Sequence, residues 1–306
     1  MKKILSLIIV TIMMFSLTAC AGGKTESEKI NVVAVSFAEY DFTRQIVKGS
    51  DTVELSLLIN SGVDMHSYQP SAKDIAQILQ ADLLIYNGGE SDFWVSDVIE
   101  NNKQDIETLR LTDTVRDRLL AVEEHDDDEY DEHIWLSLKN AELCVNAICD
   151  NLVLSDSKNE KLYQQNRDEY LKAILDLDEQ YTSYFEKSEN KTAVFADRFA
   201  FRYLFNDYNL DYCAAFDGCS AESEVSFDTV TRLAKCIDDN KLKNVLILEN
   251  SSDELANTVI KATKDKNMSV LKINSLQSVT NSQENYLDIM AENLSVLSKA
   301  LEVKGE

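Results

Sequence analysis

Residues 158–188, KNEKLYQQNRDEYLKAILDLDEQYTSYFEKS, contain no glycine and no proline. Nothing in the run stops a helix. Apolar side chains recur at Leu162, Tyr163, Tyr170, Leu171, Ile174, Leu175, Leu177, Tyr181 and Tyr184. This predicts one helix about 45 Å long. A chain interrupted by such a helix has to build its cores on either side of it. Both flanks alternate between short apolar runs and stretches with helical spacing. In the first, NVVAVSF (31–37), VELSLLI (53–59) and DLLIYNG (82–88) read as strands. The segments 38–49, 71–81 and SDFWVSDVIENN read as helices, the second opening after Pro70. In the second flank, KTAVFA, LDYCAAF, NVLILEN and MSVLKIN read as strands, separated and followed by helical segments. Strands alternating with helices at this spacing predict an α/β fold of two lobes with mainly parallel sheets, joined by a long rigid helix. Such sheets bind ligands at the carboxyl ends of their strands, so two lobes would bind in the cleft between them.

The first twenty residues are read as a targeting segment. Lys2 and Lys3 precede an apolar stretch, Ile4 to Phe15, that is short for a bilayer span. The LTAC that follows resembles a bacterial lipobox, which implies cleavage before Cys20 and lipidation of that residue. The expected organisation is a lipoprotein signal peptide at 1–19, a lipidated tether at 20–30 and an N-terminal α/β lobe at 31–157. A connecting helix at 158–188 and a C-terminal α/β lobe at 189–306 complete it. The lipid anchor would hold the chain at the extracytoplasmic face of a cell membrane.

The net charge is −24 and no basic patch stands out, which argues against nucleic-acid binding. An acidic surface suits cations, or solubility. Five cysteines besides Cys20 remain, an odd number, so at least one thiol is unpaired. Cys213 and Cys219 flank AAFDG, where a small-loop bridge is possible, but spacing alone deduces no pairing. No Cys-x-x-Cys pair is present, which argues against a structural zinc knuckle.

Histidine is the informative residue, because the chain has three. His66 lies in GVDMHSYQPSAKDI, in the loop between a strand and a helix. His125 and His133 lie in EEHDDDEYDEHIW (123–135), the densest acidic run. Taken alone, a histidine in a loop is most often a surface residue. Taken together, DMHSYQPSAKDIAQILQADLLIYNGG and DEHIWLSLKNA resemble segments of the metal-binding lipoproteins of zinc and manganese ABC transporters, the cluster A-I solute-binding proteins. The resemblance runs from Val32 to the C-terminus and includes the acidic loop and the long helix; the lipobox before it fits as well.

That resemblance implies His66 and His133 as metal ligands, with Trp135 fixing the loop that aims His133. The family's third ligand follows the first strand of the second lobe, where Asp197 is the candidate. A shift of one position would place Arg198 there instead, which binds no metal. The fourth falls at Asn274, with water or Ser275 as an alternative, and Glu249 is read as structural. His125 with Asp126, Asp127 and Asp128 would form a mobile loop that gathers cations and acts as a secondary metal loop; the alternative is a solvated acidic loop with no metal role. The implied cargo is Zn2+, with Mn2+ or iron as the alternative. The implied partners are an ABC permease and its ATPase, and the protein would be a monomer. No motif of a metallopeptidase, nucleophile elbow or phosphate loop is present, so no enzyme is expected. An adhesin or scaffold lipoprotein with a degenerate metal site is the remaining alternative.

Overall fold

The computed structural model describes residues 29–60, 62–102, 106–122, 130–217, 225–279 and 283–302. The readings on the signal peptide, on Cys20 and on His125, Asp126, Asp127 and Asp128 lie outside them, as does Cys219.

The first lobe carries β1 (Ile30–Ala34), β2 (Val53–Leu57), β3 (Leu83–Tyr86) and β4 (Glu107–Arg110) in the order β2-β1-β3-β4, every pairing parallel. A parallel strand covered on both faces needs apolar side chains on both, and Val32, Val33, Ala34 and all of β3 are buried. Helices α1 (Phe37–Ile46), α2 (Ala72–Ile78) and α3 (Phe93–Asn102) fill the crossovers, and the single turn α4 (Leu111–Thr114) follows β4. At the start of α2, Ser71 and Asp74 cap each other: Ser71 N donates to Asp74 Oδ2 at 2.7 Å and Asp74 N to Ser71 Oγ at 3.3 Å. β4 escapes a sequence reading. Its four residues are ETLR, and only Leu109 is buried, so it has neither an apolar run nor a strong alternation.

Two helices follow, α5 (Leu138–Ser155) and the long α6 (Glu160–Glu186), the latter inside the expected 158–188. α6 buries Tyr163, Tyr170, Ile174, Leu177, Tyr181 and Phe185, one face at helical spacing. It does not bridge open space. Near its start, Asn166 Nδ2 donates to the carbonyls of Ile46 and Lys48, at the end of α1. Near its end, Tyr181 Oη donates to Met290 O at 2.6 Å. The helix is therefore pinned to the first lobe at one end and to the second at the other. One core runs from Val32 through Tyr163 and Tyr181 to Phe195 and Leu297, so the lobes share their packing.

The second lobe repeats the plan. Strands β5 (Thr192–Phe199), β6 (Asp211–Asp217), β7 (Asn244–Leu248) and β8 (Ser269–Ile273) lie in the order β6-β5-β7-β8, again all parallel. They alternate with α7 (Arg202–Asp207), α8 (Phe227–Asn240) and α9 (Glu254–Ala262), and α10 (Tyr286–Ala300) closes the chain. β5 continues past the expected end at Ala196 and changes register between Phe195 and Arg198, the stretch that holds Asp197. The structure pairs Cys213 with Cys236, tying β6 to α8; Cys144 and Cys149 are buried free thiols. Among the described residues no helix is long and apolar enough to cross a membrane.

Candidate metal centre between the lobes

In both sheets the chain reverses its winding direction beside the first strand, so the loops after the strands open a crevice at their carboxyl ends. The loop after β2 carries His66 in a short 3-10 turn, Met65–Ser67. Asp64 caps this turn, its Oδ1 accepting His66 N at 3.0 Å, and its other oxygen accepts Arg198 of β5 across the cleft. Burial opposes ionisation of Asp64, but the Arg198 guanidinium outweighs it and holds the carboxyl below its ordinary range.

The loop before α5 carries Asp131, Glu132 and His133, all buried. Asn87, at the end of β3, fixes it by donating from Nδ2 to Glu132 O at 2.9 Å. From the second lobe, Tyr203 Oη donates to Asp131 O at 2.6 Å and Tyr286 Oη to Trp135 O at 2.7 Å. Trp135 is buried as expected, with its ring 5.3 Å from that of His133 and its Nε1 donating to Ser275 O at 3.0 Å.

The two histidines converge, their ring centroids 5.6 Å apart. His133 Nδ1 lies 2.9 Å from Asp131 Oδ1. His66 Nδ1 lies 3.2 Å from Glu132 Oε1 and 2.6 Å from Ser91 Oγ. Ser91 also holds Glu132, its hydroxyl reaching Oε1 at 2.6 Å and its N–H reaching Oε2 at 2.8 Å. Each imidazole thus has a carboxylate at Nδ1, which fixes the proton there and leaves Nε2 as a free-electron-pair donor. Both Nε2 atoms point at Gln277, beyond β8, whose Nε2 is 2.8 Å from that of His66 and 2.5 Å from that of His133.

His66, Glu132 and His133 form a group in which one donor atom of each lies within 4.8 Å of the others. Burial alone would raise the Glu132 carboxyl, but the His66 hydrogen bond, the positive charge that His133 and His66 carry once protonated, and the Ser91 hydrogen bond bring it down to about 2. It is therefore a carboxylate at any ordinary pH. Beneath it, burial pushes Asp92 up to about 7, against the backbone N–H of Gly88 and with the nearby charges of Glu39 and Glu132 adding to the rise. The glycines of NGG (87–89) belong to this floor. Gly88 has φ +87°, and a Cβ on Gly89 would stand 2.3 Å from that of Glu132.

Two expected ligands have hydrogen bonds of their own. Asp197 uses Oδ1 to accept Arg198 N at 2.9 Å and Oδ2 to accept Leu248 N at 2.9 Å. Asn274 uses Oδ1 to accept Leu276 N at 2.8 Å. Glu249 is structural as expected, since both its oxygens hold Ser275, at 3.0 Å to N and 2.9 Å to Oγ. Sequence reasoning missed Glu132 and Gln277. Glu132 had a signal, its place directly before a candidate ligand; for Gln277 the resemblance pointed to another amide, Asn274, three positions earlier in the same loop.

Two parallel α/β lobes with imidazole and carboxylate groups gathered between them define a two-lobed binding protein. The chain belongs to the ZnuA family, zinc-uptake complex component A periplasmic, whose model matches residues 32–300. It is 31% identical over 322 residues to the zinc-binding lipoprotein AdcA of Streptococcus pneumoniae, covering 100% of this chain and 62% of that protein. It is 29% identical over 324 residues to the high-affinity zinc uptake system protein ZnuA of Bacillus subtilis, covering 99% of each. The chain thus spans less than two thirds of the length of AdcA and nearly all of ZnuA. Among solved structures, Zn(II)-bound AdcA from Streptococcus pneumoniae superposes with a TM-score of 0.75 at 30% identity, over 91% of this chain and 59% of that one.

Proposed function

We propose that this chain is the extracytoplasmic receptor of a metal-uptake ABC transporter. It captures zinc between its lobes and hands it to a membrane permease driven by an ATPase. It acts as a monomeric solute-binding protein rather than a catalyst, held at the membrane by a lipid on Cys20. The observation that carries this reading is the convergence of His66 and His133 Nε2, each imidazole backed at Nδ1 by a buried carboxylate. Carboxylate-backed imidazoles are the usual setting of a bound transition metal, and the backing raises their basicity as ligands. A donor set led by two nitrogens suits zinc better than manganese, which prefers oxygens. The names of the AdcA and ZnuA relatives point the same way.

On this reading His66 and His133 supply the primary donors from the first lobe. Asp131 and Glu132 orient them, and Asp197 and Asn274 frame the cleft through the backbone they hold. The links from Arg198 to Asp64, from Trp135 to Ser275 and from Gln277 to both histidines already join the lobes. Any closure on metal uptake is therefore small. A second reading, a lipoprotein with a degenerate site, is favoured by one observation: the second lobe meets the histidines with a neutral amide rather than a carboxylate. Calorimetry of the metal-stripped protein with zinc and with manganese separates them. The receptor reading expects one tight site that prefers zinc, and no binding of either metal below micromolar would favour the degenerate site.

A further inference from the structure

Gln277 stands where the two metal-facing nitrogens meet. A primary amide nitrogen carries two hydrogens and accepts none. With both Nδ1 protons directed to Asp131 and to Glu132 and Ser91, both Nε2 atoms are acceptors. One –NH2 group therefore gives one hydrogen to each ring, at 2.8 Å and 2.5 Å. The reversed amide would set Oε1 against two lone pairs. We propose that the Gln277 amide is an internal occupant of the metal site, presented by the second lobe, which an incoming cation has to displace.

The occupant is built in. Gln277 is 7% exposed. The residue before it, Leu276, is held at φ +63°, a left-handed conformation that leucine rarely adopts, by the bond from its N–H to Asn274 Oδ1. Ser275 is anchored by Glu249 and by Trp135, so the loop aims Gln277 from a fixed base. The arrangement satisfies two buried lone pairs without metal and links the lobes at the same point. It also sets affinity, because zinc gains its two nitrogen ligands only by breaking two hydrogen bonds.

This inference rests on the metal-binding reading, and the Gln277→Leu variant separates the two. Leucine keeps the bulk but neither donates nor ligates. Zinc titration should show the variant binding about tenfold more tightly than wild type, the effect of losing two competing neutral hydrogen bonds. Unchanged or weaker binding in the variant, with zinc still bound by wild type, overturns the displacement alone. Zinc uptake by neither protein overturns the metal reading and the displacement with it. A second measurement needs no metal: side-chain 15N spectra of the metal-free protein should show both histidines protonated at Nδ1 and slowly exchanging Gln277 amide protons. Protonated Nε2 on either ring overturns the inference whatever zinc does.

Discussion

Asp131 and Glu132 are adjacent in the chain and back different histidines. Asp131 Oδ1 lies 2.9 Å from His133 Nδ1, and Glu132 Oε1 lies 3.2 Å from His66 Nδ1. A single short loop thus aims an imidazole of its own and one from a loop 66 positions upstream.

Removing the carboxylate behind a ligating histidine should weaken metal without abolishing it. Asp131→Asn and Glu132→Gln should each reduce zinc affinity by about 10- to 100-fold, as buttressing residues do. His66→Ala and His133→Ala should lose tight binding altogether. Competition against a chromophoric chelator measures all four. Equal losses in the asparagine and alanine variants would mean that Asp131 is more than a support.

Metal-free stability should carry two opposite pH signatures from the floor of the site. Glu132 is held down to about 2 from an ordinary 4.5, so its contribution is full above about 4.5 and fades as pH falls through 2. Asp92 is raised to about 7 from 3.8, so the native state binds the extra proton, and stability falls as pH rises between those values. Each unit of separation is worth about 1.4 kcal/mol. Asp92→Asn should therefore flatten the decline between pH 4 and 7 relative to wild type, measured by urea unfolding at a series of pH values. An unchanged slope would show that Asp92 does not hold its proton in the native state.

The bridge from Cys213 to Cys236 closes a loop of sequence separation 23. Its loss in the Cys213→Ser/Cys236→Ser variant should cost about 2–4 kcal/mol. Thermal unfolding reads this directly, and zinc affinity should hardly change, since none of the site's hydrogen bonds runs through either cysteine.

A methyl group on Gly89 would collide with Glu132. Gly89→Ala should therefore weaken zinc binding to a degree comparable with Glu132→Gln, while Gly49→Ala, where nothing lies within 4 Å of the added carbon, should leave binding intact. Zinc titration of the two variants makes the comparison, and equal behaviour would contradict the role given to Gly89.

The two-lobe plan was legible in the sequence because it rests on local patterns, β-branched runs and helical spacing around Tyr163 to Tyr181; His66 and His133 were singled out through the resemblance of the segments that hold them, and the structure brings the two rings together. What was not legible depends on pairing across the fold. β4 is a strand because Leu83 to Tyr86 offers it an edge, not because Glu107 to Arg110 resembles one. Asp197 follows a strand, as a ligand would, but the change of register after Phe195 goes with a carboxylate turned to the backbone of Arg198 and Leu248. Asn274 has suitable chemistry but spends its oxygen on holding Leu276. The pairing of Cys213 with Cys236 likewise follows from α8 lying against β6, which spacing does not encode.

The central claim is that the metal sits on the Nε2 side of both histidines. A crystal structure of the zinc-loaded protein, with the ion located by anomalous scattering, tests it most directly. The account predicts zinc about 2.0–2.1 Å from His66 Nε2 and His133 Nε2, with Asp131 and Glu132 still at the Nδ1 atoms and the Gln277 amide nitrogen moved away. Zinc bound to Glu132 on the Nδ1 side of His66, or anywhere that leaves both Nε2 atoms on Gln277, would contradict it.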